Sequence, residues 1–184
     1  MSLVELIAQA DERGLAASGL ACLDRCVPLL GGDDEILRPL WASLTDDAGA
    51  GDWGDGLEQA RGKLDGAGDG DEAVALAHRM LEAAPAQRSA AEVRVWADAC
   101  SVASLQIHRL LDTAPDDASS VDPRRQGRTE GMSPLVAAEL RRQVVVLEVL
   151  AGHGVAGLRR ALEVSIEGRR VLRAVVSRRT RQRG

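Results

Sequence analysis

Apolar residues recur at spacings of three and four along most of the chain, and no pair of alternating segments reads as paired strands. The pattern is helical. Ser2 and Glu5 form a capping-box signature ahead of Leu3, Leu6, Ile7 and Ala10, and Gly14 is the expected end of that helix. A second stripe, Ala16, Leu20, Leu23, Val27 and Leu30, runs to Gly31 and Gly32, with Pro28 as a kink risk near its end. A short third helix is expected in DDEILRPLWASL, capped by Asp33 or Asp34, with Pro39 in its first turn. WGDGLEQARGKL reads as a weak helix, because each of Gly54, Gly56 and Gly62 costs about 1 kcal/mol relative to alanine. DEAVALAHRMLEAAP is a further helix, stopped at Pro85.

The strongest pattern lies in SAAEVRVWADACSVASLQIHRLLD. Ser89 and Glu92 supply a second capping box, and Val93, Trp96, Cys100, Ala103, Ile107 and Leu110 fall in heptad order. His108 then lies off the seam. Residues 114–132 are polar, contain Pro and Gly, and have no period, which reads as a flexible linker or loop. Ser133 and Pro134 open a helix that ends near Gly152. Its VVVLEV stretch would suit a buried strand, but the capped start and the length favour a helix. The last helix starts near Gly154, with Val155, Leu158, Leu162, Ile166, Leu172 and Val176 on one side. The tail SRRTRQRG has no apolar residue and is expected to fray from about residue 177.

The fold expected is all-α: a helical bundle or short array of helical hairpins, with seven or eight helices and no significant sheet. The division expected is an acidic helical domain at 1–113, the linker at 114–132, and a two-helix basic segment at 133–184 packing on the first part.

Charge changes this picture more than composition does. Residues 1–123 hold 23 acidic and 9 basic side chains, a balance of -14, whereas residues 124–184 hold 5 acidic and 14 basic ones, a balance of +9. The chain of 184 residues is acidic overall, at -5, yet seven of its last sixteen residues are arginine. Phe, Tyr and Asn are absent and Lys63 is the sole lysine beside 22 arginines. Those four residue types have AT-rich codons, so the simplest source is a GC-rich bacterial gene. The absence of Phe and Tyr also removes most base-stacking platforms for single-stranded nucleic acid. The N-terminus carries Glu5, Asp11 and Glu12 without a basic region, unlike a signal peptide, and no apolar run approaches the ~20 residues of a membrane span. Three sparse cysteines suit reduced thiols and a cytoplasmic setting.

Candidate chemistry is thin. Cys22 and Cys26 sit at i, i+4, but zinc sites use two close pairs and the second is missing, so the cysteines, Cys100 included, read as small buried hydrophobes. His78 with Glu82 and His108 with Asp112 are i, i+4 pairs of the kind that decorate helix surfaces, and neither histidine has the Glu-x-x-His spacing of di-iron bundles. The Asp65–Gly70 stretch fails the EF-hand pattern, having Ala67 at position 3 and Leu76 at position 12. The motifs of serine hydrolases, Walker loops, dinucleotide sites and zinc proteases do not occur. No catalytic residue, metal or cofactor is assigned, and an enzyme is the less favoured class.

The basic end is the candidate site. Arg159, Arg160, Arg169, Arg170, Arg173, Arg178 and Arg179 form the expected partner- or phosphate-binding set, extended by Arg181 and Arg183 and supported by Arg124, Arg125, Arg128, Arg141 and Arg142. The leading expectation is a non-catalytic helical interaction or regulatory protein, oligomeric or in a complex. Its basic helix would reach an acidic protein surface or its own acidic half. A nucleic-acid binder using the same arginines is the first alternative, opposed by repulsion from the acidic part. A bundle enzyme or metal carrier around His78, His108 and the cysteines is the second.

Overall fold

Helix α2 (Glu12–Leu30) is the axis on which the other long helices pack. The computed structural model describes residues 1–49, 51–64 and 70–183, and among them every regular element is helical. Before α2 comes α1 (Leu3–Gln9), and after it α3 (Arg38–Ala42), α4 (Asp52–Lys63), α5 (Glu72–Glu82) and α6 (Ala90–Leu111). The single turn α7 (Asp122–Arg125) precedes α8 (Pro134–His153), a 3-10 turn at Gly154–Gly157 and α9 (Leu158–Arg183). Helices α5, α6, α8 and α9 all lie against α2, and the buried apolar side chains form one cluster reaching from Leu3 to Val175. The fold is an all-α helical bundle.

Several boundaries follow from capping. The Ser2 and Glu5 box is formed in full at the start of α1. Gly14 does not end that helix. Asp11 takes the Gly14 amide at 2.8 Å, so a new helix starts there and Gly14 lies in its first turn. Pro28 is accommodated inside the last turn of α2, which ends on Gly31 at φ 73°. Pro39 does occupy the first turn of α3, but Asp33 caps the turn before it, through the Glu35 amide, rather than α3 itself. Asp71 caps α5 through the amides of Ala73 and Val74. The Asp65 to Asp69 part of the calcium-loop comparison lies outside the described residues.

Residues 114–132 are not a bare linker in the structure. Asp116 accepts from the amides of Ala118 and Ser133 and from the buried Arg124, which also donates to the Arg128 carbonyl. Asp112 reaches over to the Leu135 amide in the first turn of α8. The start of α8 is therefore held by carboxylates from the preceding loop, while the Ser133 hydroxyl caps nothing.

Helix α6 departs from the heptad reading. Val93, Trp96, Cys100 and Ile107 are buried, but Leu110 is 44% exposed, and Ser104 and His108 are fully buried. An α-helix turns 3.6 residues, so a 3.5-residue seam drifts by about 20° per heptad. By the third heptad the inward line has moved onto Ser104, Leu105, His108 and Leu111. In α9 the deepest line is likewise small and polar: Ala161, Ser165, Gly168 and Arg169 join Leu158, Val164, Leu172 and Val175.

Candidate functional site

The arginines of α9 divide into those spent inside the molecule and those that face out. Arg169 is buried and pairs with Asp24 of α2, whose second oxygen accepts the Trp41 indole N–H at 2.8 Å. Burial raises the Asp24 carboxyl, and Arg169 and Trp41 counter that rise without reversing it. Arg173 reaches Asp34 at 2.7 Å. Arg179 pairs with Asp71, and Arg183 meets the same carboxylate at 3.3 Å. Burial works to raise Asp71, but the Val74 amide, Arg179 and Arg183 outweigh it and hold the carboxyl below its ordinary range. These contacts explain why α9 stays helical to Arg183 instead of fraying near residue 177. The tail is tied to the N-terminus of α5.

The outer face is different. Arg159 and Arg160 are exposed and share Glu163, at 3.9 Å and 3.6 Å. Arg170 and Arg178 are exposed and have no carboxylate partner among the described residues. Thus the seven predicted arginines do not form one surface. Arg169 belongs to the core, Arg179 and Arg173 to internal ties, and Arg159, Arg160, Arg170 and Arg178 to solvent. Of the supporting set, Arg124 and Arg125 are buried, the latter pairing with Asp98 and donating to the Ser101 hydroxyl.

A second constellation lies where α2, α6, α8 and α9 meet. Arg25 donates to Glu139 through Nε at 2.7 Å and Nη2 at 2.6 Å, with both side chains fully buried. Glu139 also accepts from the Ser104 hydroxyl at 2.7 Å and the Gln143 amide at 3.1 Å. Gln143 accepts from Ser101 at 2.6 Å, which links the centre to Arg125. Gly168 of α9 makes room: a Cβ there would lie 2.4 Å from the Arg25 Cδ and 2.9 Å from that of Arg142. Burial alone would raise Glu139, yet Arg25, His108 and the hydrogen bonds hold it down at about 2. The carboxylate in turn keeps Arg25 charged against its own burial.

His108 was expected on the surface beside Asp112. It lies instead in this centre, its Nδ1 at 2.7 Å from the Ser104 carbonyl. A carbonyl only accepts, so Nδ1 carries the proton and Nε2 presents its lone pair 3.7 Å from the Glu139 Oε2. Burial holds His108 below its ordinary value despite the carboxylate. Serine, histidine and glutamate thus come together, but facing one another in the interior. His78 is half-buried on α5 and its partner Glu82 is exposed.

Cys22, Cys26 and Cys100 are free and buried, as expected of small hydrophobes. Burial pushes Cys22 up to about 12 and raises the other two as well, so none presents a thiolate. Among the described residues no group of three or more His, Cys, Asp or Glu side chains is placed to hold a metal ion. A polar cleft of about 810 Å³ opens between residues 43–54 and 86–88, but its Ser43 and Thr45 hydroxyls donate to the carbonyls of Leu40 and Ala42. An apolar cleft of about 470 Å³ runs between α5 and α6. No described helix is long and apolar enough to cross a membrane. No family model matches the chain, and no curated protein or solved structure matches it.

The signal for the buried centre was present in the sequence. Around the stripe of α2 lie Ala17, Ser18, Gly19 and Ala21, so this helix is small or apolar on every side from Gly14 to Leu23. Such a helix is buried all round. Asp24 and Arg25 follow directly, and must then be buried and paired.

Proposed function

We propose that this is a non-catalytic helical interaction protein, regulatory or adaptor in character, that binds an acidic protein surface through the outer face of α9. The binding residues are Arg159, Arg160, Arg170 and Arg178, with Arg173 at the edge. The observation that carries the reading is the exposure of Arg170 and Arg178 without a carboxylate partner among the described residues, on a helix anchored to Asp24, Asp34 and Asp71. A rigid helix presents charge with little ordering cost on binding. The inward-facing Ser104–His108–Glu139 group and the protonated thiols support a non-catalytic role. The free, buried cysteines suit a reducing cytoplasmic setting.

The test is fluorescence anisotropy with a labelled poly-glutamate peptide, and in parallel with a labelled DNA duplex. Poly-glutamate should bind in low salt, and the Arg170→Glu/Arg178→Glu double variant should lose that binding while melting at the native temperature. Duplex binding with a log–log salt slope of about 0.9 per phosphate, and none to poly-glutamate, would replace this reading with the nucleic-acid one.

A further inference from the structure

Helix α6 has two apolar faces; the fold buries one and covers the other only in part, with Val102 and Ala103 half-buried against the core. Val93, Ala97, Cys100, Leu105 and Ile107 point into the core. On the other side Val95, Ala99, Val102, Gln106 and Leu110 follow one another at helical spacing and carry no charge. Val95 is 73% exposed, as open to solvent as Met1 at the chain start. The apolar cleft beside this stripe is floored by Leu76, Met80 and Trp96.

We propose that this face is a two-fold interface, with a second copy of the chain lying antiparallel along α6. The stripe is complementary to itself. A two-fold axis between Val102 and Ala103 sets Val95 against the partner's Leu110, Ala99 against the partner's Gln106, and Val102 against the partner's Ala103. Each small or slender residue meets one that fills the space over it. An isologous contact requires that kind of pairing of a surface with itself.

Charge agrees with the same axis. Asp98 and Arg109 are eleven residues apart, close to three full turns, so they share one flank of the stripe. Antiparallel pairing brings Asp98 within two residues, about 3 Å along the axis, of the partner's Arg109, and the contact occurs twice. Asp98 keeps half of its side chain open beyond Arg125. Arg109 is half-buried, and its Nη atoms donate to the carbonyls of Ala118 and Ser119. A parallel two-fold pairing would instead put this flank of the two copies on opposite sides of the interface, and neither contact would form. The stripe from Val95 to Leu110 is about 22 Å long, and two helix widths give a projected footprint of about 450 Å² per chain. That is about 900 Å² in total, below the ~1,200 Å² at which stable specific interfaces begin, so the dimer is a weak one that should exchange rapidly and depend on concentration. This surface is separate from the arginine face of α9.

Sedimentation of the full chain over a hundredfold concentration range should show a monomer passing to a dimer. Val95→Glu, at an exposed position, should keep the native melting curve and stay monomeric throughout. Val102→Cys should yield a disulfide-linked dimer under mild oxidation, since residue 102 lies beside the axis and the native cysteines are buried. Val95→Cys should not, because the two copies of residue 95 would stand about 22 Å apart, beyond the ~7 Å Cα reach of a disulfide. A native chain that remains monomeric, a dimer that survives Val95→Glu, a dimer without the Val102→Cys link, or a Val95→Cys link would each overturn the proposal.

Discussion

Replacing Glu139 by glutamine keeps the shape of the buried centre and removes its carboxylate contact to Arg25. The guanidinium stays charged, because arginine does not deprotonate in proteins, and it loses its hydrogen-bonded counter-ion in a fully buried site. Two routes give the size of the loss. The carboxyl sits near 2 in the fold against an ordinary value of 4.5, and at 1.36 kcal/mol per unit that gap corresponds to about 3 kcal/mol at neutral pH. Breaking a buried ion pair by removing one partner costs roughly 3–5 kcal/mol in general. Either value is a large share of a total stability of about 5–15 kcal/mol, and the range they span should lower the melting temperature by about 6–20 °C at roughly 2–4 °C per kcal/mol for a chain of this size. Urea unfolding followed by tryptophan fluorescence is the assay, since Trp41, Trp53 and Trp96 are all buried. A carboxyl with a depressed value contributes fully above about 4.5 and loses its contribution as pH falls towards 2. The gap between the native chain and Glu139→Gln should therefore narrow across that window. The double variant Arg25→Met/Glu139→Leu should recover at least half of the loss, because it removes both charges from the interior. A Glu139→Gln protein within 1 kcal/mol of native, or a double variant no more stable than Glu139→Gln, would show that the buried ion pair does not hold the centre together.

His108→Gln tests the acid side in another range. Burial lowers the folded His108 below 6.5, so its neutral form contributes stability above that pH and the contribution is lost as pH falls; the variant should lose less stability than the native chain between pH 8 and 5.5, measured as urea midpoints. Gly168→Ala would press a methyl group onto the stem of Arg25 at 2.4 Å and should cost about 1–3 kcal/mol by overpacking, although alanine is the better helix former; a more stable variant would contradict the packing described. Asp71→Ala should cost about 1 kcal/mol through the lost cap of α5 and speed amide exchange at residues 177–183, whereas Asp71→Asn should keep the cap and show only the faster exchange.

What was legible in the sequence is the helical framework, down to particular caps. Ser2 with Glu5, Pro39, Pro134 and the stop at Gly31 all act near the places their chemistry marks. Of the centre, only the burial of Arg25 was legible, from the small and apolar run before it; the members contributed by α6 and α8 look ordinary one at a time. Ser104 and His108 fell outside a heptad line that a real helix leaves after two repeats. Glu139 follows two alanines and precedes Leu140 and Arg141, a context indistinguishable from a solvated turn. Its partner is 114 residues away, and only the close approach of α9 at Gly168 seals the pair. The reverse holds for the arginine tail. Its composition signalled a free end, and what fixes it is one aspartate at the head of another helix, a long-range contact that local pattern does not encode.

The opposed charges of the two parts of the chain therefore have an internal use. Arg124 meets Asp116, Arg125 meets Asp98, Arg169 meets Asp24, Arg173 meets Asp34, and Arg179 and Arg183 meet Asp71, each pairing the basic part with the acidic one. Arginines of the acidic part tie helix ends in the same way. Arg94 donates to the carbonyls of Ile7, Ala8 and Ala10 at the end of α1, and Arg61 to those of Leu81, Glu82 and Ala84 at the end of α5. A helix end leaves several carbonyls unpaired within a few ångströms of one another, and a planar fork of five donors can reach several at once. The abundance of arginine over lysine does not by itself account for its placement. At position 25 the distinction becomes chemical: a buried lysine would shed its proton to escape desolvation, whereas arginine keeps its charge and so keeps Glu139 ionised. With no Phe or Tyr to fill the interior, long arginine stems and their paired heads occupy core positions that aromatic rings fill elsewhere. What remains outside, on the far side of α9, is the charge that these internal pairings leave over.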